Sequence, residues 1–389
     1  MGNKIVPSDR LSEIKAYYFA SKLKEIAALN AQGHDIISLG MGGPDLPPPE
    51  EAITAAVETL RRDDTHSYQP AMGLPALRKA YADWYAKWYK VEGIDPDTEI
   101  LPLAGSKEGI TFISMAFLNK GDGVLVPNPG YPAYSAACKL VQAKMYNYDL
   151  TEENGWMPDF EALEKLPLDK IKLMWVNYPN MPTGTPADMK VFERLVDFGK
   201  KHDIVVINDN PYSFILSERP TSIMQVEGAR ETCMELNSLS KCLDMAGWRV
   251  GMLTGNATYL NWVHRVKSNV DSGQSRFVME GAIAALGAPE QWYQTLNEVY
   301  ARRQKIAVEI MRALKCDVRL PQQGLFIWGR IPEGKPDAME YSQIIQDRAR
   351  VFVTPGTIFG TVGNRYLRVT LCCPEEKLQE CLCRIKKDL

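Results

Sequence analysis

Between about residues 100 and 255 the chain alternates short, continuously apolar runs with stretches of helical period, and few folds satisfy that alternation. The runs are ILPLA (100–104), GVLVP (123–127), KLMWVN (172–177), IVVIN (204–208), CMELN (233–237) and RVGMLTG (249–255). A strand that is apolar at every position must be covered on both faces, which is the signature of a parallel sheet rather than an open antiparallel one. Segments such as SKEGITFISMAFLNK and ADMKVFERLVDFGKKH lie between the runs and carry the apolar spacing of amphipathic helices. The pattern predicts an α/β fold, with a mostly parallel sheet between layers of helices.

At 389 residues the chain exceeds the length at which one core usually stops growing. Residues 289–316 form one long helical pattern without an internal proline or glycine. After it, GLFIWGRI, VFVTPG and RYLRVTL read as strands, with a helix around residues 337–350. We therefore expect a large domain over residues 46–290 and a smaller α+β domain. The smaller one would be formed by residues 291–389 together with the N-terminal segment 1–45.

Several function classes are disfavoured. The formal net charge is -3 and no basic stretch is concentrated, so nucleic acid and anionic membranes are poor partners. The N-terminus has no apolar signal region, and Val6 stands where a myristoylation pattern needs Ser or Thr. No window reaches about 18 uninterrupted apolar residues, so no span is expected. A cytoplasmic location follows as the expectation. Four of the eight cysteines (Cys372, Cys373, Cys381 and Cys383) cluster near the C-terminus. They lack paired C-x-x-C spacing and only four histidines exist in the chain, so no metal is expected.

Two segments carry chemistry. In NSLSKCLDMAGWRVGMLTG (237–255), a strand ends in Ser238 and Ser240, followed by Lys241 and then Arg249. Hydroxyls and a guanidinium fork suit a phosphate, and a lysine amine can form an imine with a carbonyl. In IVVINDNPY (204–212), Asp209 falls at the carboxyl end of a very apolar strand, where open α/β sheets bind ligands. A carboxylate there needs a cation, and a protonated ring nitrogen would serve. Taken singly, each segment also suits a structural role, as a basic loop or a turn carboxylate.

Eight blocks in order then carry a resemblance over essentially the whole chain. They are ISLGMGGPD (37–45), YQPAMGLPALR (68–78), AGSKEGI (104–110), PNPGYPAY (127–134), NYPNMPTG (177–184), INDNPY (207–212), SLSKCLDMAGWRVG (238–251) and RYLRVTL (365–371). With them the chain resembles the class I/II aminotransferases, fold-type I enzymes that use pyridoxal 5'-phosphate. The resemblance implies a ping-pong transfer between an L-amino acid and a 2-keto acid, through a Schiff base on Lys241 and pyridoxamine phosphate. It implies that Asp209 pairs with the ring nitrogen, Tyr212 bonds the ring oxygen and Tyr131 stacks on the ring. Backbone amides of Ser106 and Lys107, with Ser238, Ser240 and Arg249, would hold the phosphate. Arg368 would grip the substrate carboxylate, with Gly42 and Tyr18 beside it. Tyr68 would reach the neighbouring subunit's phosphate, which implies a homodimer with shared sites. Within the family, VKSNVDSGQ (266–274) is similar to the branch of LL-diaminopimelate and alanine-type aminotransferases.

The pattern breaks at one place. The family's N-P-T-G tetrapeptide carries an Asn that donates to the ring oxygen, and here that position is Met181, which cannot donate. Asn180 is the neighbouring amide left to serve the cofactor. Substrate choice is less constrained. Arg276 is a candidate for a second carboxylate by position only, the aromatic run AYYF (16–19) could cover the site, and glutamate with 2-oxoglutarate is the default half-reaction. Elimination or decarboxylation would need the same scaffold. A sensor domain of a transcription regulator would need a helix-turn-helix that residues 1–35 are too short to supply, and GMGGPD (40–45) lacks the dinucleotide fingerprint. One expectation follows from Met181. With one donor fewer, the cofactor's imine should hold its proton more tightly, so Met181→Asn should lower the pH midpoint of its absorbance; a titration of both proteins reads this directly.

Overall fold

The structure is a computed structural model that describes residues 5–14 and 16–389. Seven strands form the main sheet in the spatial order Ile100–Leu103, Gly251–Gly255, Cys233–Ser238, Val205–Asp209, Ile171–Val176, Gly123–Asn128 and Lys144–Asp149. Only the Gly251–Gly255 strand runs antiparallel to its neighbours; the other pairings are parallel. All six expected runs are strands. The seventh, Lys144–Asp149, escaped notice because it is an edge strand, half exposed, and needs no continuous apolar run.

Alternate side chains of the central strands feed two different cores. Leu173, Trp175 and Ile207 pack on one face with Ile110, Ile113 and Tyr134. Met174, Val176 and Val206 pack on the other with Phe192, Leu195 and Tyr89. Each fully buried side chain of this kind contributes about 1.5–3 kcal/mol relative to exposure. Both faces being covered explains why the strands lack polar alternation. The helix Met189–His202 shows the complementary logic, with Asp188 capping its start, Lys200, Lys201 and His202 in its last turn, and Asp203 closing it at φ 55°.

The long helix Glu290–Ala313 leads to a three-stranded antiparallel sheet in the order Thr354–Pro355, Tyr366–Thr370, Phe326–Arg330. The helix Ala338–Ala349 lies between these strands in sequence. N-terminal residues join here: Ile37 and Ser38 pair in parallel with Val351 and Phe352. The chain after them, Leu39–Asp45, runs along the small sheet toward the main one, with Leu39 accepting a hydrogen bond from Thr370.

Helices Glu50–Leu60 and Arg276–Leu286 meet so closely at Gly281 that a Cβ there would lie 2.5 Å from the Trp248 ring and 2.9 Å from the Ala52 carbonyl. Gly281→Leu should lower the unfolding free energy by about 1–3 kcal/mol through overpacking, despite the gain in helix propensity. Denaturant titration measures the change.

Candidate active site

The carboxyl ends of the central strands open on a cavity of about 380 Å³, closed on the far side by the small sheet and the N-terminal segment. Eleven of the residues singled out in the sequence line it: Gly42, Ser106, Lys107, Tyr131, Asp209, Tyr212, Ser238, Ser240, Lys241, Arg249 and Arg368.

Lys241 sits in a single helical turn, Leu239–Cys242, that begins where the strand Cys233–Ser238 ends. The Ser238 hydroxyl accepts from the Ser240 amide and fixes that turn. The Lys241 amine donates to the carbonyl of Gly42. Burial pushes its pKa down, and the guanidinium groups of Arg368 and Arg249 push the same way against Cys372 and Asp244. It therefore gives up its proton more readily than a free lysine.

Asp209 ends the strand Val205–Asp209 and is buried. Its Oδ2 accepts from the Tyr134 hydroxyl at 2.9 Å, while Oδ1 has no partner. Burial raises its pKa to about 7, the Tyr134 hydrogen bond lowers it and buried Glu235 raises it. Glu235 lies on the next strand and is satisfied by Tyr85, Ser222, Asn208 and the Ile223 amide. The orphan oxygen of Asp209 thus faces the cavity as an acceptor awaiting a cation.

The phosphate-type subsite is built by backbone. Gly105, at φ 86°, turns the chain from the strand Ile100–Leu103 into the helix Ser106–Phe117. A Cβ on Gly105 would lie 2.1 Å from Arg249 Nη2, so only glycine lets the guanidinium cross there. Arg249 donates to the carbonyls of Ala104 and Ala246, each at 3.0 Å. The first-turn amides of Ser106 and Lys107 have no helical partners and point where an anion is favoured.

Arg368, in the strand Tyr366–Thr370, is 4% exposed. Its Nη2 donates to the Gly40 carbonyl at 2.8 Å, Nη1 to the Met181 sulfur at 3.2 Å, and Nε to nothing. The rings of Phe326, Phe359 and Phe19 stand 3.8, 4.5 and 5.5 Å from its guanidinium carbon. Burial lowers its pKa to about 10, and a guanidinium so poorly paired demands an anion.

Three residues fall elsewhere. Asn180 does not line the cavity: its Oδ1 accepts from Thr183 and its Nδ2 donates to the Asn177 carbonyl, so it staples its own loop. Asn177 lines the cavity instead, donating to the Asp209 carbonyl and accepting from the Met181 amide at 2.8 Å. Tyr18 opens the helix Tyr18–Ala31 and turns into a separate groove with Lys22 and Glu25, whereas Tyr17 and Phe19 face the cavity. Tyr68 is 91% exposed and outside the cavity of this single chain. Tyr134 went unassigned although it stands in the quoted block PNPGYPAY, because nothing in sequence ties it to Asp209.

The aminotransferase class I and II family profile matches residues 34–385. The chain belongs to that family. An LL-diaminopimelate aminotransferase of Dehalococcoides mccartyi strain 195 is 40% identical to this aminotransferase over 97% of both chains. One of Aquifex aeolicus is 38% identical over 97% of this chain and 98% of its own. Among solved structures, apo-BacF of Bacillus subtilis superposes with a TM-score of 0.94 at 34% identity, covering 100% of this chain and 99% of BacF. This aminotransferase is a pyridoxal 5'-phosphate enzyme. The residues present fit that group: the orphaned Asp209 Oδ1, the Gly105 cradle beside Arg249 and the buried Lys241 amine are what its ring nitrogen, phosphate and carbonyl require.

The raised pKa of Asp209 fixes a sign. The folded apoprotein holds this proton more tightly than the unfolded chain, so Asp209 lowers apoprotein stability as pH rises from about 4 through 7. Asp209→Asn should therefore stabilise the apoprotein at pH 8 by about 1–3 kcal/mol while weakening cofactor binding at least about tenfold. Thermal melts and cofactor titrations of the two apoproteins check both.

Proposed function

We propose that this aminotransferase moves an amino group between an L-amino acid and a 2-keto acid by double displacement, with Lys241 as the covalent anchor and the proton carrier. The observation that carries the reading is the buried Lys241 amine, its pKa lowered by burial, in a cavity where Asp209 Oδ1 and Arg368 Nε lack partners. Pyridoxal phosphate supplies, when bound, the carbonyl that takes up amines and the conjugated ring that accepts electrons from Cα. The chain does the rest. Asp209 Oδ1 would hold a proton at the ring nitrogen, and Tyr212 would donate toward the ring oxygen. Tyr131 covers the ring face. The amides of Ser106 and Lys107, the hydroxyls of Ser238 and Ser240 and the Arg249 fork hold the phosphate. Arg368 orients the substrate by its carboxylate, exchanging the weak Met181 contact for a charged one. Lys241 would anchor the cofactor through its amine and would serve as the base that moves the substrate's Cα proton. Tyr17 and Phe19 screen the cavity from water.

The curated relatives act on LL-diaminopimelate, which makes that amino acid a candidate donor, with 2-oxoglutarate as acceptor. We place the catalytic assembly in a homodimer, since Tyr68 is the kind of exposed aromatic that a second chain would cover. The large part would be residues 46–290, and the small part residues 1–45 and 291–389. No helix among the described residues is long and apolar enough to cross a membrane, and a cytoplasmic setting suits the reading.

Lys241→Ala should lower turnover by about 10³-fold or more and abolish borohydride-fixable attachment of the cofactor. Mass mapping of the reduced holoenzyme should find the tag on Lys241, and a tag on another lysine would reject the assignment.

A further inference from the structure

We propose that Glu152 is a positioning residue for substrate binding: through the Tyr366 hydroxyl it fixes the strand that carries Arg368. The inference rests on the reading of Arg368 as the group that grips the substrate's carboxylate, and it concerns what holds that arginine in place.

Glu152 follows the edge strand Lys144–Asp149 of the main sheet and does not line the active-site cavity. It lines a separate cleft of about 210 Å³, walled by Trp156 and Thr183 on one side and by Trp328 and Tyr366 of the small sheet on the other. Its side chain is 9% exposed. Oε2 accepts from the Tyr366 hydroxyl at 3.1 Å, and Oε1 lies 2.8 Å from Arg319 Nε. Arg330 Nη1 is 3.8 Å from Oε2. All three partners come from the small sheet or the chain leading into it, so the carboxylate bolts one wall of the cleft to the other. The side chains of Arg319 and Arg330 are 65% and 43% exposed, so solvent screens their pairs and they add little. Tyr366 is buried, and a hydroxyl that donates to a carboxylate makes one of the stronger hydrogen bonds. The tyrosine is the tie that matters.

What Tyr366 fixes is one face of the small sheet. Residues two apart on a strand share a face, and so do directly opposed residues of neighbouring strands. Tyr366 and Arg368 stand two apart, opposite Arg330 and Trp328. The Tyr366 and Trp328 rings stack at 5.0 Å with planes 5° apart. The Trp328 and Phe359 rings are 6.2 Å apart, and the Phe359 ring stands 4.5 Å from the Arg368 guanidinium carbon. A continuous row of contacts thus runs from Glu152 to Arg368. Its outer end is anchored too: Trp156 packs edge-on against Tyr366 at 5.1 Å, and its carbonyl accepts from the Tyr178 hydroxyl at 2.8 Å. Tyr178 stands three residues before Met181, the sulfur partner of Arg368. Arg368 itself is tied only by that sulfur and the Gly40 carbonyl. Its guanidinium therefore goes where its strand goes, and a displacement of about 1 Å can cost a positioned interaction up to about 100-fold.

The test uses the holoenzymes of wild type, Glu152→Ala, Tyr366→Phe and the double variant, each studied well below its melting temperature. Dissociation constants of propionate and glutarate, which carry no amino group to react, are read from the change they cause in the cofactor's absorbance. Arg368→Gln is the reference for loss of the carboxylate grip. We expect each single variant to bind both acids about tenfold more weakly, and the double variant no more weakly than either single one. Affinity for the cofactor should be unchanged in all three. Acid affinity unchanged in both single variants, even with a lowered melting temperature, overturns the proposal, as do effects that multiply in the double variant. If Arg368→Gln also leaves acid binding unchanged, the carboxylate role of Arg368 fails and the proposal with it. If Arg368→Gln alone weakens binding, that role stands and Glu152 does not position it.

Discussion

The main sheet is buried on both faces, and the placement of every functional group follows from that. Strands whose side chains enter cores above and below leave no lateral surface for polar chemistry, so charge is admitted only where a strand stops. Asp209 is the last residue of its strand, and Lys241 lies in the turn directly after its own. Ser106 opens the helix after a third strand. Because strands that run the same way end at one edge of the sheet, three residues far apart in sequence meet without any long-range side-chain search.

The second half of the cavity obeys a different constraint. Arg368 lies in the interior of the small sheet, not at a strand end, and its cost of burial is offset only in part by one carbonyl, one sulfur and three aromatic faces. A thioether is a weak acceptor, so Met181 leaves the guanidinium more exposed electrostatically to an incoming anion than an amide oxygen would. The residue that stands where the family pattern has a donor thus sharpens the demand of Arg368 for an anion. Both effects act within one cavity and arise from one side chain.

How much was legible in the sequence depended on which physical signal each feature left. Strands with two buried faces were read from unbroken apolar runs, whereas Lys144–Asp149, at the sheet edge, left no such run. Lys241, Asp209, Arg249 and Arg368, each singled out by the motif around it, line one cavity. The errors were errors of direction. Asn180 and Tyr18 belong to the right segments, but whether a side chain points into a cavity depends on where a helix starts or a loop folds on itself. Tyr17 and Phe19 flank Tyr18 yet face the other way, and Asn177 takes the place expected of Asn180. Tyr134 and Glu235 were invisible for another reason: a partner of a buried carboxylate is defined across strands, not along them.

Gly40 and Gly42, two residues apart on one extended segment, present their carbonyls to Arg368 and Lys241. One extended segment thus links Arg368 of the small sheet to Lys241 of the main one through two neutral carbonyl oxygens. The N-terminal segment is therefore anchored at the cavity by the same two side chains that the proposed chemistry uses.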